Sequence, residues 1–132
     1  MEVIIYYEDT DCGGVVYYAN YLKYFERART EYMNQRGVDL AEYHRGGIFF
    51  MVADAKITYR SPAHYGETLI IDAWISRMGG ASFVFQYRVM EKTSRRLIAE
   101  GETTIVTADE HQKLKRLTPE LRERLQVKQR KE

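Results

Sequence analysis

The residues best suited to chemistry lie near the start of the chain, in the stretch YYEDTDCGGVVYYANY. Asp9 and Asp11 stand two positions apart, and the pair Gly13-Gly14 follows closely. A carboxylate can act as a nucleophile or a general base, and glycines let the backbone approach a substrate closely. Aspartates in loops also commonly form turns, so residue type alone leaves a structural role open.

The position of this loop favours a role in catalysis. It leads directly into the longest amphipathic pattern of the sequence, a helix that we predict to begin near Tyr18. The first N–H groups of a helix have no partner within it and carry partial positive charge. Donors of this kind stabilise a developing oxyanion, so a carboxylate beside them has the parts that acyl transfer requires.

Other chemistries have weaker support in the sequence. A catalytic Cys12 would need a nearby histidine, but His44, His64 and His111 are scattered. No two histidines have metal-ligand spacing, and we expect neither a metal nor an organic cofactor. His64, in the turn SPAHYGE, is the histidine with the best claim to a place near a site. The sequence has no GxSxG elbow, P-loop or dinucleotide fingerprint.

Length and charge restrict the class of protein. The chain has 132 residues, of which 45% are hydrophobic, and we expect residues 1–132 to form one domain. A net charge of +1 gives no general attraction to nucleic acid or to anionic membranes. The basic stretch LKRLTPELRERLQVKQRK lacks the interleaved aromatic residues that stack on bases. We therefore expect no nucleic-acid partner.

Cysteine content and hydropathy indicate the compartment. The single cysteine, Cys12, excludes an internal disulfide and fits a reducing environment. The first residues do not have the pattern of a signal peptide, and no apolar run reaches the roughly 18 residues of a membrane-spanning helix. We expect a cytoplasmic protein with no integral membrane segment.

Periodicity predicts the elements that position the loop. Residues 2–7 have strand character, and residues 18–36 have a helical period that ends at Gly37. The apolar stripe of this helix is Tyr21, Leu22, Phe25, Ala28, Tyr32 and Met33. Asp39 is the predicted N-cap of a shorter second helix. Thr118 and Pro119 open a final short helix, which we expect to be followed by a frayed tail.

From about residue 48 to residue 108 the period is two, with short connections, which predicts four antiparallel strands in a meander. One long helix with one apolar stripe must bury that stripe against the sheet. The predicted fold class is therefore α+β, with an antiparallel sheet of about five strands wrapped around one long central helix.

The stretch YYEDTDCGGVVYYANYLKYFERARTEYM resembles the signature of the hotdog-fold thioesterases. The resemblance is to the YbgC-like acyl-CoA thioesterases, which are related to 4-hydroxybenzoyl-CoA thioesterase. ITYRSPAHYGETL also resembles this family's turn between the first two meander strands, and the likeness covers roughly residues 3–110. It implies a hotdog fold and hydrolysis of acyl-CoA, in which coenzyme A is part of the substrate.

The resemblance also implies residue roles. Asp11 matches the catalytic carboxylate, which acts as nucleophile or as base toward water. The backbone N–H of Tyr18 matches the donor that polarises the thioester carbonyl, and Asp9 matches a position that supports the loop. Many YbgC-like members have histidine in place of Tyr18, so proton transfer by that side chain is not available here. Cys12 replaces a small alanine or proline, and we expect no chemistry from it.

Further substrate-binding residues are predicted from the same resemblance. They are Gly14, Val15, Tyr59, Arg60, Arg77 and Ser82. The hydroxybenzoyl-type enzymes have a basic cluster for the CoA phosphates where this chain reads RMGGASF, with Arg77 alone. In place of that cluster, Arg60 or the basic C-terminal end of this chain are the other candidates for contact with the CoA phosphates.

The family also implies a homodimer or homotetramer with active sites at the dimer interface. We expect residues 56–60 and the region near Ser82 to line the site of the second copy. Two alternatives remain open at this point. One is hydrolysis of acyl groups carried by acyl carrier protein, and the other is a module that binds acyl-CoA without turnover.

Overall fold

The elements follow the predicted order along the chain. The computed structural model describes residues 1–11 and 13–126, so Cys12 and the predicted tail after Gln126 lie outside the described residues. The strands are β1 (Glu2–Ile4), β2 (Phe49–Tyr59), β3 (Thr68–Met78), β4 (Ser82–Glu91) and β5 (Leu97–Ala108). The helices are α1 (Asn20–Gln35), α2 (Leu40–Arg45) and α3 (Pro119–Leu125).

The five strands form one antiparallel sheet in the order β1-β3-β4-β5-β2. The prediction of about five antiparallel strands around one long helix is therefore confirmed. The predicted meander is wrong for β2, which pairs with β5 and not with β3. The connection of residues 60–67 leads from β2, at one edge of the sheet, to β3, next to the opposite edge. Along this path its backbone bonds to the N-terminal loop. The N–H of Val16 donates to Ala63 (2.8 Å) and that of Tyr65 to Gly14 (3.0 Å).

Helix α1 packs its apolar stripe on the concave face of the sheet. Its buried residues are Tyr21, Tyr24, Phe25, Ala28 and Met33. The predicted stripe is wrong at Leu22, whose side chain is 46% exposed, and it omitted Tyr24. Positions 21, 24, 25 and 28 share one helical face, whereas residue 22 lies about 100° further round.

The helix boundaries are set by local hydrogen bonds. Gly37 has φ +76° at the end of α1, and the N–H of Val38 donates to Met33 (2.9 Å), as in the predicted glycine cap. The Asp39 carboxylate accepts the Ala41 N–H (3.0 Å) at the start of α2. The Thr118 hydroxyl accepts the Leu121 N–H (3.1 Å) at the start of α3. These three caps confirm the sequence predictions.

The strands of the sheet differ in how deeply they are buried. Strands β3, β4 and β5 contribute most of the buried strand residues, while β2 is exposed over most of its length. Strand β1 ends at Ile4, earlier than predicted, because a 3-10 turn (Tyr7–Asp9) follows it.

No helix within the described ranges is long and apolar enough to cross a membrane.

Candidate active site

The loop before α1 is a tight turn that fixes the Asp11 carboxylate. Oxygen Oδ1 of Asp11 accepts the Gly13 N–H (2.9 Å), and the Asp11 carbonyl accepts the Gly14 N–H (3.0 Å). The Asp11 N–H in turn donates to the carbonyl of Val15 (2.9 Å). Gly14 has φ +75°, a conformation that residues with a side chain rarely adopt. The carboxylate is exposed, and no described residue donates to its Oδ2.

Asp9 supports the loop from its base. Its Oδ2 accepts the N–H of Tyr6 (2.9 Å), which closes the 3-10 turn. Its carbonyl accepts the Tyr17 N–H (2.9 Å) and the side-chain amide of Asn20 (2.9 Å). Asp9 therefore ties the loop to the first turn of α1, in agreement with the supporting position that the sequence indicated.

The connection of residues 60–67 forms the second support of the loop. His64 pairs with Val15 through the backbone, but its side chain turns toward Glu67, with Nδ1 at 3.2 Å from Oε1. Arg96 also binds Glu67 (2.9 and 3.0 Å). Burial raises the pKa of Glu67, but the hydrogen bonds from His64 and Arg96 outweigh it and leave that pKa below its usual value. His64 thus stabilises the turn and does not line the cleft.

A cleft of about 600 Å³ opens beside this turn. Its lining residues are Asp11, Gly13, Val15, Tyr18, Tyr21, Tyr59, Arg60, Ser61 and Pro62. The structure thus brings together five of the predicted site residues, while Gly14 shapes the adjoining turn. The cleft also contains four residues that were not predicted as site residues, namely Gly13, Tyr21, Ser61 and Pro62. Tyr21 was assigned to the core stripe, and its place in the first turn of α1 is the signal that marks it as a residue of the cleft.

Three tyrosine rings form one wall of the cleft. The ring centroids of Tyr18 and Tyr59 are 4.5 Å apart, and those of Tyr59 and Tyr21 are 5.6 Å apart. Burial, reinforced by the neighbouring tyrosines, raises the pKa of Tyr21 to about 12. Burial and the nearby Tyr18 also raise the pKa of Tyr59. These two hydroxyls therefore remain neutral at neutral pH, and the wall offers ring faces without negative charge.

Unpaired backbone donors lie at the start of α1. The Asn20 N–H donates to Tyr17 (3.0 Å) and the Tyr21 N–H to Tyr18 (3.2 Å). The N–H groups of Tyr18 and Ala19 donate to none of the residues that the structure describes. Tyr18 lines the cleft together with Asp11, so a carboxylate and an N–H without a described acceptor belong to the same site before α1. Donors of this kind can stabilise an oxyanion.

Arg77 and Ser82 lie at the other end of the sheet. Ser82 pairs with Val106, and Arg77 lines a separate cleft of about 630 Å³ beside α3. Within one chain neither residue reaches the Asp11 cleft. Arg60 does line it, and its side chain pairs with Glu100 (3.4 Å). The roles of all three in substrate binding stay predictions. Across residues 1–11 and 13–126, no cluster of three or more acidic, histidine or cysteine side chains suits a metal ion.

Comparison with known proteins places the chain in a family. Residues 6–126 match the family described as the thioesterase-like superfamily. The chain belongs to this superfamily. The relatives and the solved structure described next confirm the predicted hotdog fold and the class of thioester hydrolase.

Individual members of the superfamily show the extent of the likeness. The acyl-CoA thioester hydrolase YbgC of Escherichia coli O6:H1 is 36% identical over 107 residues, which cover 81% of this chain and 79% of the relative. The acyl-CoA thioesterase YbgC of Haemophilus influenzae is 42% identical over 69% of this chain and 68% of its own length. The structure of a 1,4-dihydroxy-2-naphthoyl-CoA thioesterase from Synechocystis matches with a TM-score of 0.87 at 24% identity, covering 95% and 93% of the two chains.

Proposed function

We propose that this thioesterase hydrolyses acyl-CoA at the Asp11 cleft. The observation that carries the proposal is the Asp11 carboxylate, held through Oδ1 by the Gly13 N–H, in a cleft that also includes Tyr18, whose N–H donates to no described residue. The two YbgC relatives, both named as acyl-CoA thioesterases, support the CoA ester as the substrate.

Two routes use the same geometry. In the first, an oxygen of the Asp11 carboxylate bonds to the thioester carbonyl carbon, and the C–S bond breaks as CoA leaves with the electron pair. Water then attacks the mixed anhydride, which releases the acid and restores the carboxylate. In the second route, Asp11 takes a proton from water as the water attacks the carbonyl carbon. The C–S bond of the tetrahedral intermediate then breaks, CoA leaves with the electron pair, and the proton on Asp11 passes to the departing sulfur, which restores the carboxylate. Both routes place negative charge on the carbonyl oxygen, which the Tyr18 N–H stabilises. Neither route requires a metal or an organic cofactor.

The tyrosine wall favours a planar acyl group. Aromatic rings pack face to edge or offset on one another, and pairs of this kind contribute about 0.5–1.5 kcal/mol beyond the burial of area. Tyr18 and Tyr59 are both exposed and line the cleft, where their rings lie tilted against each other. We therefore expect benzoyl-CoA to be a better substrate than hexanoyl-CoA or palmitoyl-CoA.

We propose that two copies pair along β2, an arrangement that would give Arg77 and Ser82 a role in the site of the second copy. Two antiparallel edge strands related by a two-fold axis would place the Tyr59 end of one β2 beside the Phe49 end of the other. Arg77 and Ser82 lie toward the Phe49 end of the sheet. In such a homodimer, Arg77 of the second copy would lie on the side from which the CoA phosphates of the bound substrate extend.

The test is release of CoA, followed with a thiol reagent, for the wild type and Asp11→Asn. We expect Asp11→Asn to lower kcat by about 10²–10⁴-fold, the range for loss of a positioned acid–base group. Glu8→Gln is the matched control, because Glu8 is exposed in the same loop and does not line the cleft. Both variants should keep the wild-type melting temperature.

Full activity in a folded Asp11→Asn protein would contradict the proposed role of Asp11. If the wild type hydrolyses no CoA ester but acts on an acyl group carried by acyl carrier protein, the substrate carrier is the acidic protein. Measurable CoA affinity without turnover of either substrate would instead indicate a binding module.

A further inference from the structure

A second concavity lies between the outer edge of β1 and helix α1. It has a volume of about 800 Å³ and shares no lining residue with the Asp11 cleft. One wall is the backbone and side chains of β1 and the 3-10 turn, and the other is a face of α1 that includes Tyr24, Arg27 and Glu31. We refer to it as the β1–α1 groove.

The backbone of β1 presents unpaired groups to this groove. Met1 bonds to Ile71 through both its amino group and its carbonyl (3.1 and 2.8 Å), and the Ile5 N–H donates to Glu67 (2.9 Å). In an antiparallel pair, alternate residues bond to the same neighbour, so the N–H and C=O groups of Glu2 and Ile4 point away from β3. No described strand pairs with that edge. It is an open template for one more strand.

A buried hydroxyl at the floor of the groove also lacks a partner. Tyr24 is 1% exposed, and its hydroxyl forms no hydrogen bond with any described residue. Burial, with the nearby carboxylate of Asp9, raises the pKa of Tyr24 to about 12, so the group is neutral and can donate or accept a hydrogen bond. Buried polar groups nearly always have partners, and this hydroxyl, on a residue that lines the groove, is one that a bound segment can satisfy.

The charge of the groove defines what it can bind. Five carboxylate side chains line it, against Lys23, Arg27 and the amino group of Met1, and one of the five, Glu2, already pairs with Lys92 (2.9 Å). Ile4 and Tyr6 add apolar surface, with exposures of 54% and 59%. A small cation would leave the strand edge unpaired, and an acidic protein would be repelled. A second copy of this chain would place two acidic grooves together, which is also unfavourable.

We propose that the β1–α1 groove binds an extended, lysine- or arginine-rich segment of another protein, which adds to β1 as a strand. Backbone bonds to Glu2 and Ile4 provide affinity, as in other cases of strand addition beside a helix. The basic side chains pair with the carboxylates of the groove, and a polar group of the segment satisfies the Tyr24 hydroxyl. This inference is independent of the reaction at Asp11.

The test uses a fluorescein-labelled hexapeptide of alternating lysine and valine, with binding followed by fluorescence anisotropy. Two control peptides replace lysine by glutamate, or valine by proline, which removes backbone N–H donors. We expect only the lysine–valine peptide to bind. Tyr24→Phe should weaken binding about three- to tenfold, the value of one hydrogen bond. The double variant Glu26→Gln/Glu31→Gln should weaken it further and reduce its salt dependence, while Glu110→Gln, which is exposed outside the groove, should not.

Three results would overturn the inference. The first is no binding of the lysine–valine peptide to the wild type. The second is equal binding of the proline peptide, which would show charge attraction without strand addition. The third is a change of molecular mass in light scattering for Glu26→Gln/Glu31→Gln, which would assign the groove to contact between copies of the chain.

Discussion

At the scale of single residues, the Asp11 turn is held by short-range bonds that the sequence makes recognisable. The spacing from Asp11 to Gly13 and Gly14 gives the carboxylate a backbone donor two residues ahead and a glycine where φ is positive. This local chemistry could be predicted. The aromatic wall could not, because Tyr59 meets Tyr18 only after a strand from a distant part of the sequence has been placed.

A substitution at Gly14 tests whether the position of the Asp11 carboxylate affects catalysis, apart from any effect on the stability of the fold. At Gly14 an added Cβ would meet no atom within 4 Å, so Gly14→Ala strains only the backbone, at a cost of about 1–2 kcal/mol. Because the strain shifts Asp11, we expect kcat to fall at least tenfold. Gly47→Ala is the matched control, since Gly47 also has positive φ and open space but lies after α2. Equal activity of the two variants in the CoA-release assay would show that the Asp11 turn tolerates the shift.

At the scale of elements, the sequence predicted which segments are helices and strands better than how they are arranged. The caps at Gly37, Asp39 and Thr118 depend on neighbouring residues, and all three were predicted. The place of β2 beside β5 depends on the connection of residues 60–67, which bonds to the loop around Gly14 and Val16. Bonds between segments so far apart leave no periodic signal in the sequence.

The contact between α1 and the sheet gives a prediction at this scale. A Cβ at Gly101 on β5 would overlap the ring of Phe25, so Gly101→Ala must push the helix from the strand. We expect a loss of about 1–3 kcal/mol in the free energy of unfolding, the usual cost of overpacking. Adding Phe25→Leu should recover part of this loss, because the smaller side chain makes room for the methyl group. Denaturant unfolding of the single and double variants measures the coupling, and additive losses would contradict the contact.

At the scale of the whole molecule, the two free edges of the sheet differ in length and chemistry. Strand β1 has three residues and adjoins an acidic groove, whereas β2 has 11 residues and exposes apolar side chains that include Met51 and Val52. A long apolar edge is a ready site for pairing with another chain. The predicted homodimer would cover β2 and leave β1 for a different partner, so one sheet can serve assembly and recognition at opposite edges.

If β2 is the edge at which two copies pair, a charged side chain placed on β2 should dissociate the subunits. Val52 is 51% exposed on the edge strand, and Val52→Lys would bury an unpaired cation in a two-fold interface. We expect light scattering to show a dimer or a tetramer for the wild type and a monomer for Val52→Lys. Leu114→Lys, at a site that is 69% exposed in the loop after β5, should keep the wild-type mass.

Because Arg77 and Ser82 are far from Asp11 within one chain, the monomer should also bind CoA esters more weakly, with a higher KM. A Val52→Lys protein that keeps the wild-type mass would place the interface elsewhere, and a monomer with unchanged KM would show that one chain forms the whole site.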